Sequence, residues 1–94
     1  IALLPGQVAA AVRLRVENQA WSASLRFEGD NIGHYQKVFE EAGVAFHGEY
    51  ASLHLKGTGG ASNAKRAIGA MLFATGIPFT STATSAVPFI NSGV

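Results

Sequence analysis

Three observations in the sequence predict an α+β fold in which two helices cover one face of an antiparallel sheet. Several segments alternate apolar and polar side chains with a period of two, which is typical of strands that bury one face. Two segments carry apolar residues at helical spacing. A heptapeptide also recurs, at residues 23–29 (ASLRFEG) and 51–57 (ASLHLKG), and each copy precedes one of the helical segments.

Five strands are expected along the chain. They are predicted at residues 8–17, 21–28, 44–47, 50–56 and 79–87. In the second strand Trp21, Leu25 and Phe27 share one parity, and polar side chains occupy the other. The third and fourth strands are joined by a turn at Gly48-Glu49.

The first helix follows Gly29, with Asp30 expected as its N-cap and Gly43 as the residue that ends it. The second helix is expected to begin at Ser62 or Asn63 and to end at Gly76. Apolar residues extend almost all round the second helix, which is typical of a helix partly covered by a partner. We therefore expect its outward residues to form an interface in a homodimer or with a partner protein of the same assembly; these are Ala67, Ala70, Phe73 and Ala74.

From Trp21 onward the predicted order is β-α-β-β-α-β, which is the ferredoxin-like split βαβ sandwich. We interpret residues 1–94 as a single domain with pseudo-repeats at about 21–46 and 50–79. The additional N-terminal strand would pair through a hairpin at Asn18-Gln19, in the place that the last strand normally takes. Either the last strand is displaced, or the unit is permuted and its last strand lies at an edge or on a partner chain. The expected core comprises Trp21, Leu25, Phe27, Phe39, Leu53, Leu55, Ile68 and Leu72.

Composition excludes several classes of protein. The 94 residues are 48% hydrophobic and 14% charged, with a net charge of +1 and no cysteine. Apolar content at this level argues against an intrinsically disordered chain, and the lack of cysteine excludes disulfide scaffolds and thiolate metal sites. The small net charge argues against a general nucleic-acid binder. No apolar run reaches the roughly 20 residues of a membrane span.

Catalytic and metal chemistry are not indicated. The carboxylates read as strand-face, cap or helix-surface residues, and no motif surrounds a nucleophile. His47 and His54 fall on neighbouring strands, but two imidazoles without a third ligand make a poor zinc site. We therefore predict no enzyme activity, no metal site and no cofactor.

Two binding alternatives remain open. A glycine-rich turn at the start of the second helix could present N–H groups to an anion or nucleotide, although a flexible turn is the simpler interpretation; the residues concerned are Gly59, Gly60, Ser62, Lys65 and Arg66. The open face of the sheet could bind RNA through its basic residues, which are Arg13, Arg15, Arg26, His54 and Lys56. RNA binders of this kind also expose aromatic side chains on that face, whereas Trp21 and Phe27 are predicted on the opposite, apolar face. A solvated or protein-docked face is the simpler interpretation.

The repeated order of alternating strand, Gly, helix, Gly and short apolar strand resembles a family of small periplasmic domains. The resemblance covers about residues 21–79 and rests on 23–29, 51–57, 43–46 (GVAF) and 76–79 (GIPF). These are domains of the PilO, GspM and GspL type, from the inner-membrane platforms of type IV pilus and type II secretion systems. The resemblance implies a non-catalytic structural domain of a cell-envelope assembly that acts by dimerisation or partner docking. It further implies a periplasmic location and a membrane anchor outside this chain, whereas the opening hairpin departs from the family pattern.

Overall fold

The computed structural model describes residues 7–80 and the backbone of residues 83–86, and its elements confirm the predicted α+β class. A short 3₁₀ turn at Ile32–Tyr35 leads directly into α1. The elements are β1 (Ala9–Glu17), β2 (Ala20–Glu28), α1 (Gln36–Glu41), β3 (Ala45–Phe46), β4 (Tyr50–Gly57), α2 (Gly60–Thr75) and β5 (Ala83–Ala86).

The sheet has the strand order β3-β4-β2-β1-β5, with β2 at its centre. The first four strands pair antiparallel, whereas β5 lies parallel to β1 at the edge. The extra strand β1 therefore stands between β2 and β5, and the last strand is displaced outward by one position. Val8 also bridges Phe79 in parallel, and the Thr80 N–H donates to the Val8 carbonyl at 3.0 Å.

The two copies of the heptapeptide lie side by side on β2 and β4. Leu25, the third residue of the first copy, is directly opposite Leu53, the third residue of the second. Ala23 pairs with Leu55, and Phe27 pairs with Ala51. The copies are thus antiparallel and centred on the two leucines, so the sequence repeat is also a local two-fold symmetry of the sheet.

The core lies between the helices and the apolar face of the sheet. Trp21, Leu25 and Phe27 are buried there, and the Phe27 and Phe39 rings have centroids 5.2 Å apart. Strand β1 contributes buried side chains to the core, although none of its residues was in the predicted core. The buried hydrophobic side chains are Val8, Ala10, Val12, Leu14, Trp21, Ala23, Leu25, Phe27, Ile32, Phe39, Val44, Ala51, Ala64, Ile68 and Ile77. The remaining expected core residues are only partly buried against this cluster; these are Leu53, Leu55 and Leu72. For the two leucines of β4 we attribute the difference to their position beside a sheet edge that carries only the two-residue β3.

Two helix boundaries differ from their predictions. Asp30 is not an N-cap, because the chain enters the 3₁₀ turn from Asn31 and no side chain caps it. Helix α2 begins at Gly60 instead of Ser62 or Asn63, since Gly59 and Gly60 adopt φ values of 97° and 76° and turn the chain directly out of β4. The predicted end at Gly76 is confirmed, and its φ of 70° is the left-handed conformation typical of a residue that ends a helix.

Candidate functional site

No described residue covers the face of the sheet opposite the helices, and its side chains are largely polar; we call it the open sheet face. Strand register places Arg13 opposite Ser24, and Ser24 opposite His54. One step along the strands, Arg15, Ser22 and Lys56 form a second row. The five basic residues expected on this face therefore all lie on it; they are Arg13, Arg15, Arg26, His54 and Lys56.

The middle of the open sheet face is a groove along β2. Ser22 and Ser24 form its floor, because their short side chains stand between longer ones on β1 and β4. A shallow depression of about 430 Å³ lies over Ser24; its polar lining consists of Arg13, Ser24, Arg26, Ser52 and His54. The groove is therefore lined by hydroxyl groups, an imidazole and guanidinium groups, which can donate hydrogen bonds to an anion.

One end of the groove carries a stack of three side chains. The Arg26 guanidinium lies 3.8 Å from the centroid of the Tyr50 ring, and the His47 ring stacks on Tyr50 with centroids 4.5 Å apart. Arg26 also donates to the Glu28 carboxylate, and this hydrogen bond raises the pKa of Arg26 above its usual value. The sequence places Tyr50 at the start of a strand and does not show which side chains contact its ring, because those contacts depend on the pairing between strands.

The two strand histidines each contact a serine. The His54 Nδ1 and Ser24 Oγ atoms are 3.1 Å apart, and the His47 Nε2 and Ser52 Oγ atoms are 2.9 Å apart. Such a pair becomes a nucleophile and base when a third group orients the ring and donors hold the oxyanion. Both pairs lie on an exposed face, so we interpret them as hydrogen-bonding parts of the groove. Within the described ranges, no group of three or more His, Asp or Glu side chains is placed to hold a metal ion.

Helix α2 presents a second surface, its outer face, which we define as Gly69, Ala70, Phe73 and Ala74. All four residues are exposed, and Phe73 is 89% exposed. Ala67, which was expected on this surface, is instead half-buried and packs against the core. It differs because it lies at the flank of the helix, one residue from the buried Ile68. Gly69 is not among the predicted interface residues, but it lies on this surface. A Cβ atom added there would meet nothing within 4 Å.

The glycine-rich turn before α2 is already engaged within the chain. The Gly60 N–H donates to the Gln19 carbonyl at 2.9 Å, and the Asn63 side-chain amide donates to the Thr58 carbonyl at 2.9 Å. The turn is thereby attached to the β1–β2 hairpin. The other residues of the anion hypothesis are exposed along α2; they are Ser62, Lys65 and Arg66.

Comparison of the chain with family models, with curated proteins and with solved structures found no match. No helix within residues 7–80 combines the length and the hydropathy needed to cross a membrane. The function must therefore be argued from the two surfaces themselves.

Proposed function

We propose that the chain is a non-catalytic protein-interaction domain that forms a symmetric dimer through the outer face of α2. The exposure of Phe73 carries this proposal. It is the one large hydrophobic side chain that is exposed among the described residues, and Ala70 and Ala74 extend the apolar surface beside it. A contiguous apolar surface on a small domain is typical of a partner contact.

A second copy of the same helix fits this surface. In an antiparallel pair with its two-fold axis beside Gly69 and Ala70, the smallest side chains lie where the helices are closest. A Cβ atom added at Gly69 would meet nothing within 4 Å. No contact among the described residues therefore explains a residue that weakens a helix by about 1 kcal/mol relative to alanine. Close approach of a partner helix accounts for it.

The same arrangement also pairs charge with an aromatic ring. Arg66 and Phe73 lie on the same side of α2, seven residues apart, and at equal distances from the Gly69-Ala70 pair. In the antiparallel pair the Arg66 guanidinium of each copy would face the Phe73 ring of the other, a favourable cation–π contact. The two Arg66 side chains would remain apart, so the interface is self-complementary, as a two-fold dimer requires.

The resemblance to PilO, GspM and GspL domains suggests a cellular context for such a dimer. In this proposal the domain is a structural part of a secretion or type IV pilus platform, located in the periplasm and attached to the inner membrane. The α+β fold with two helices on one face supports the comparison. Fusion of the complete gene product to a reporter enzyme that is active only in the periplasm should give active reporter; a reporter active only as a cytoplasmic fusion would contradict this location.

Sedimentation velocity on the chain at 5–500 µM, a range chosen around the roughly micromolar affinity of a small interface, tests the dimer. The wild type should shift from monomer to dimer with concentration. Phe73→Lys should remain monomeric, because two ammonium groups would replace the two rings and face the Arg66 guanidinium groups of the other copy. Ala61→Lys adds the same charge to the exposed first turn of α2 and should dimerise like the wild type.

Gly69→Leu provides a variant that should not fail to fold. Gly69 is exposed, an added Cβ atom meets nothing within 4 Å there, and leucine favours the helix. Thermal stability should therefore be kept or increased while dimerisation is lost. A monomeric wild type throughout the concentration range, or a dimer unaffected by Phe73→Lys and Gly69→Leu, would overturn the proposal.

A further inference from the structure

We propose that the outer edge of β4 binds an extended segment of a partner protein, which is added to the sheet as an antiparallel strand and alternates apolar with acidic residues. This edge is separate from the outer face of α2, so the inference is independent of the proposed dimer. It rests on the backbone groups at the edge, on the two-fold symmetry of the repeat, and on the side chains that border the edge.

The C-terminal half of β4 has outward-facing backbone groups with no strand partner among the described residues. The His47 N–H donates to the Tyr50 carbonyl at 2.8 Å, so the backbone groups of Tyr50 face β3. Because this direction alternates along an antiparallel strand, the backbone groups of His54 and Lys56 face the same side. Strand β3 pairs with β4 only as far as Ser52. The N–H and C=O groups of His54 and Lys56 are therefore available to an added strand.

The two-fold symmetry of the repeat indicates which kind of strand fits this edge. It relates β2 to β4, and so it relates β1, the outer neighbour of β2, to the outer neighbour of β4. Strand β3 occupies only the places that correspond to Arg13 and Leu14, and no described residue occupies those that correspond to residues 9–12. In β1, Ala10 and Val12 are buried. The missing strand is therefore expected to place apolar side chains on the helix side of the sheet.

The leucines beside the edge favour the same kind of strand. Leu53 and Leu55 lie on the apolar face, opposite the buried Leu25 and Ala23 of β2, yet both are only partly buried. Apolar side chains opposite the two leucines would remove their remaining exposed area from water. A segment with alternating residues provides this contact and keeps its polar side chains on the open sheet face.

Charge on the open side of the edge favours an acidic partner over a second copy of the chain. Lys56 is exposed and forms no ion pair with a described residue, and His54 lies on the same side of β4. Two copies of β4 paired at this edge would bring these basic side chains together, and like charges on neighbouring strands are unfavourable. A carboxylate of the partner opposite Lys56 would instead form a favourable cross-strand pair.

A seven-residue peptide that alternates valine with glutamate, beginning and ending with valine, tests the proposal by NMR spectroscopy of the chain. The peptide is added at about 2 mM, because four backbone hydrogen bonds support only weak binding. The amide protons of His54 and Lys56 should then exchange with solvent about threefold more slowly or less. N-methylation of the glutamates, whose N–H groups would face β4, should abolish this protection, whereas N-methylation of the valines should preserve it.

Lys56→Glu should weaken binding of the valine–glutamate peptide about threefold or more and strengthen binding of a valine–lysine peptide, because opposite charges pair across strands. Lys65→Glu is the matched control, since it makes the same change of charge at an exposed position on α2. Its affinity should remain within about twofold of the wild type, because salt screens a charge that is distant from the edge.

Three results would overturn the proposal. The first is no protection by the valine–glutamate peptide, or equal protection by its two N-methylated forms. The second is an equal effect of Lys56→Glu and Lys65→Glu. The third is protection of the His54 and Lys56 amides without peptide, which would assign the edge to a second copy if it increases with chain concentration and to a segment of the same chain if it persists on dilution.

Discussion

Phe27→Ala is expected to lower the free energy of unfolding by about 3–5 kcal/mol. The side chain is fully buried, and its ring contacts the rings of Phe39 and Phe79 with centroid distances of 5.2 and 5.5 Å. Truncation would remove these contacts and leave a cavity where β2 meets α1. Because a domain of this size has a total stability of about 5–15 kcal/mol, the variant should be largely unfolded at moderate urea concentrations.

Phe73→Ala is the matched control for this experiment, since the same atoms are removed from a side chain that is 89% exposed. Its effect, measured by urea denaturation at a concentration where the chain is monomeric, should stay within about 0.5 kcal/mol. A loss of stability at Phe73 equal to that at Phe27 would show that α2 does not face outward as described.

Gly29→Ala should have the second largest effect, a destabilisation of about 1–3 kcal/mol. A Cβ atom at this position would lie 2.5 Å from the Gln7 carbonyl oxygen and 3.3 Å from the Val8 Cα. Both are backbone atoms, so neither can move aside as a side-chain end could. The start of β1 would have to separate from the end of β2, and the Val8 contacts with Phe79 and Thr80 would be disturbed.

Gly33→Ala serves as the comparison, because an added Cβ meets nothing within 4 Å there. It should be neutral or stabilise the fold by up to about 1 kcal/mol, since alanine reduces the freedom of the unfolded chain. Thermal denaturation of the two variants side by side distinguishes close approach from a general loss of glycine. Equal melting temperatures would contradict the described position of residues 7–8.

Most strands and helices were predictable because their positions are determined by local sequence patterns. The period-two pattern of β2 gives both its length and its buried parity, and Gly76 gives the end of α2. The position of β5 was not decided locally, since it depends on which edge remains free after β1 and β2 have paired. The partial exposure of Leu53 could not be predicted from the sequence either. It depends on how much of the neighbouring strand β4 is covered by the two-residue β3.

The basic residues of the open sheet face could be predicted from the alternation of side chains along the strands alone. What alternation could not provide was which residues meet across strands, because that depends on the register between β2 and β4. The Ser24–His54 pair and the Arg26–Tyr50 stack are products of that register. On α2, the outward position of Phe73 followed from the helical period, whereas the inward tilt that half-buries Ala67 depends on how the helix sits on the sheet.

The parallel pairing of β1 with β5 has a consequence for the order in which the molecule assembles. The hairpin β1–β2 is local, whereas β5 joins β1 across about 70 residues of chain. Closing so long a loop carries a large entropy cost and slows folding, so we expect β5 to be added after the other four strands have formed. The same edge should open first under native conditions, with amide protons of Ala83–Ala86 exchanging well before those of β2.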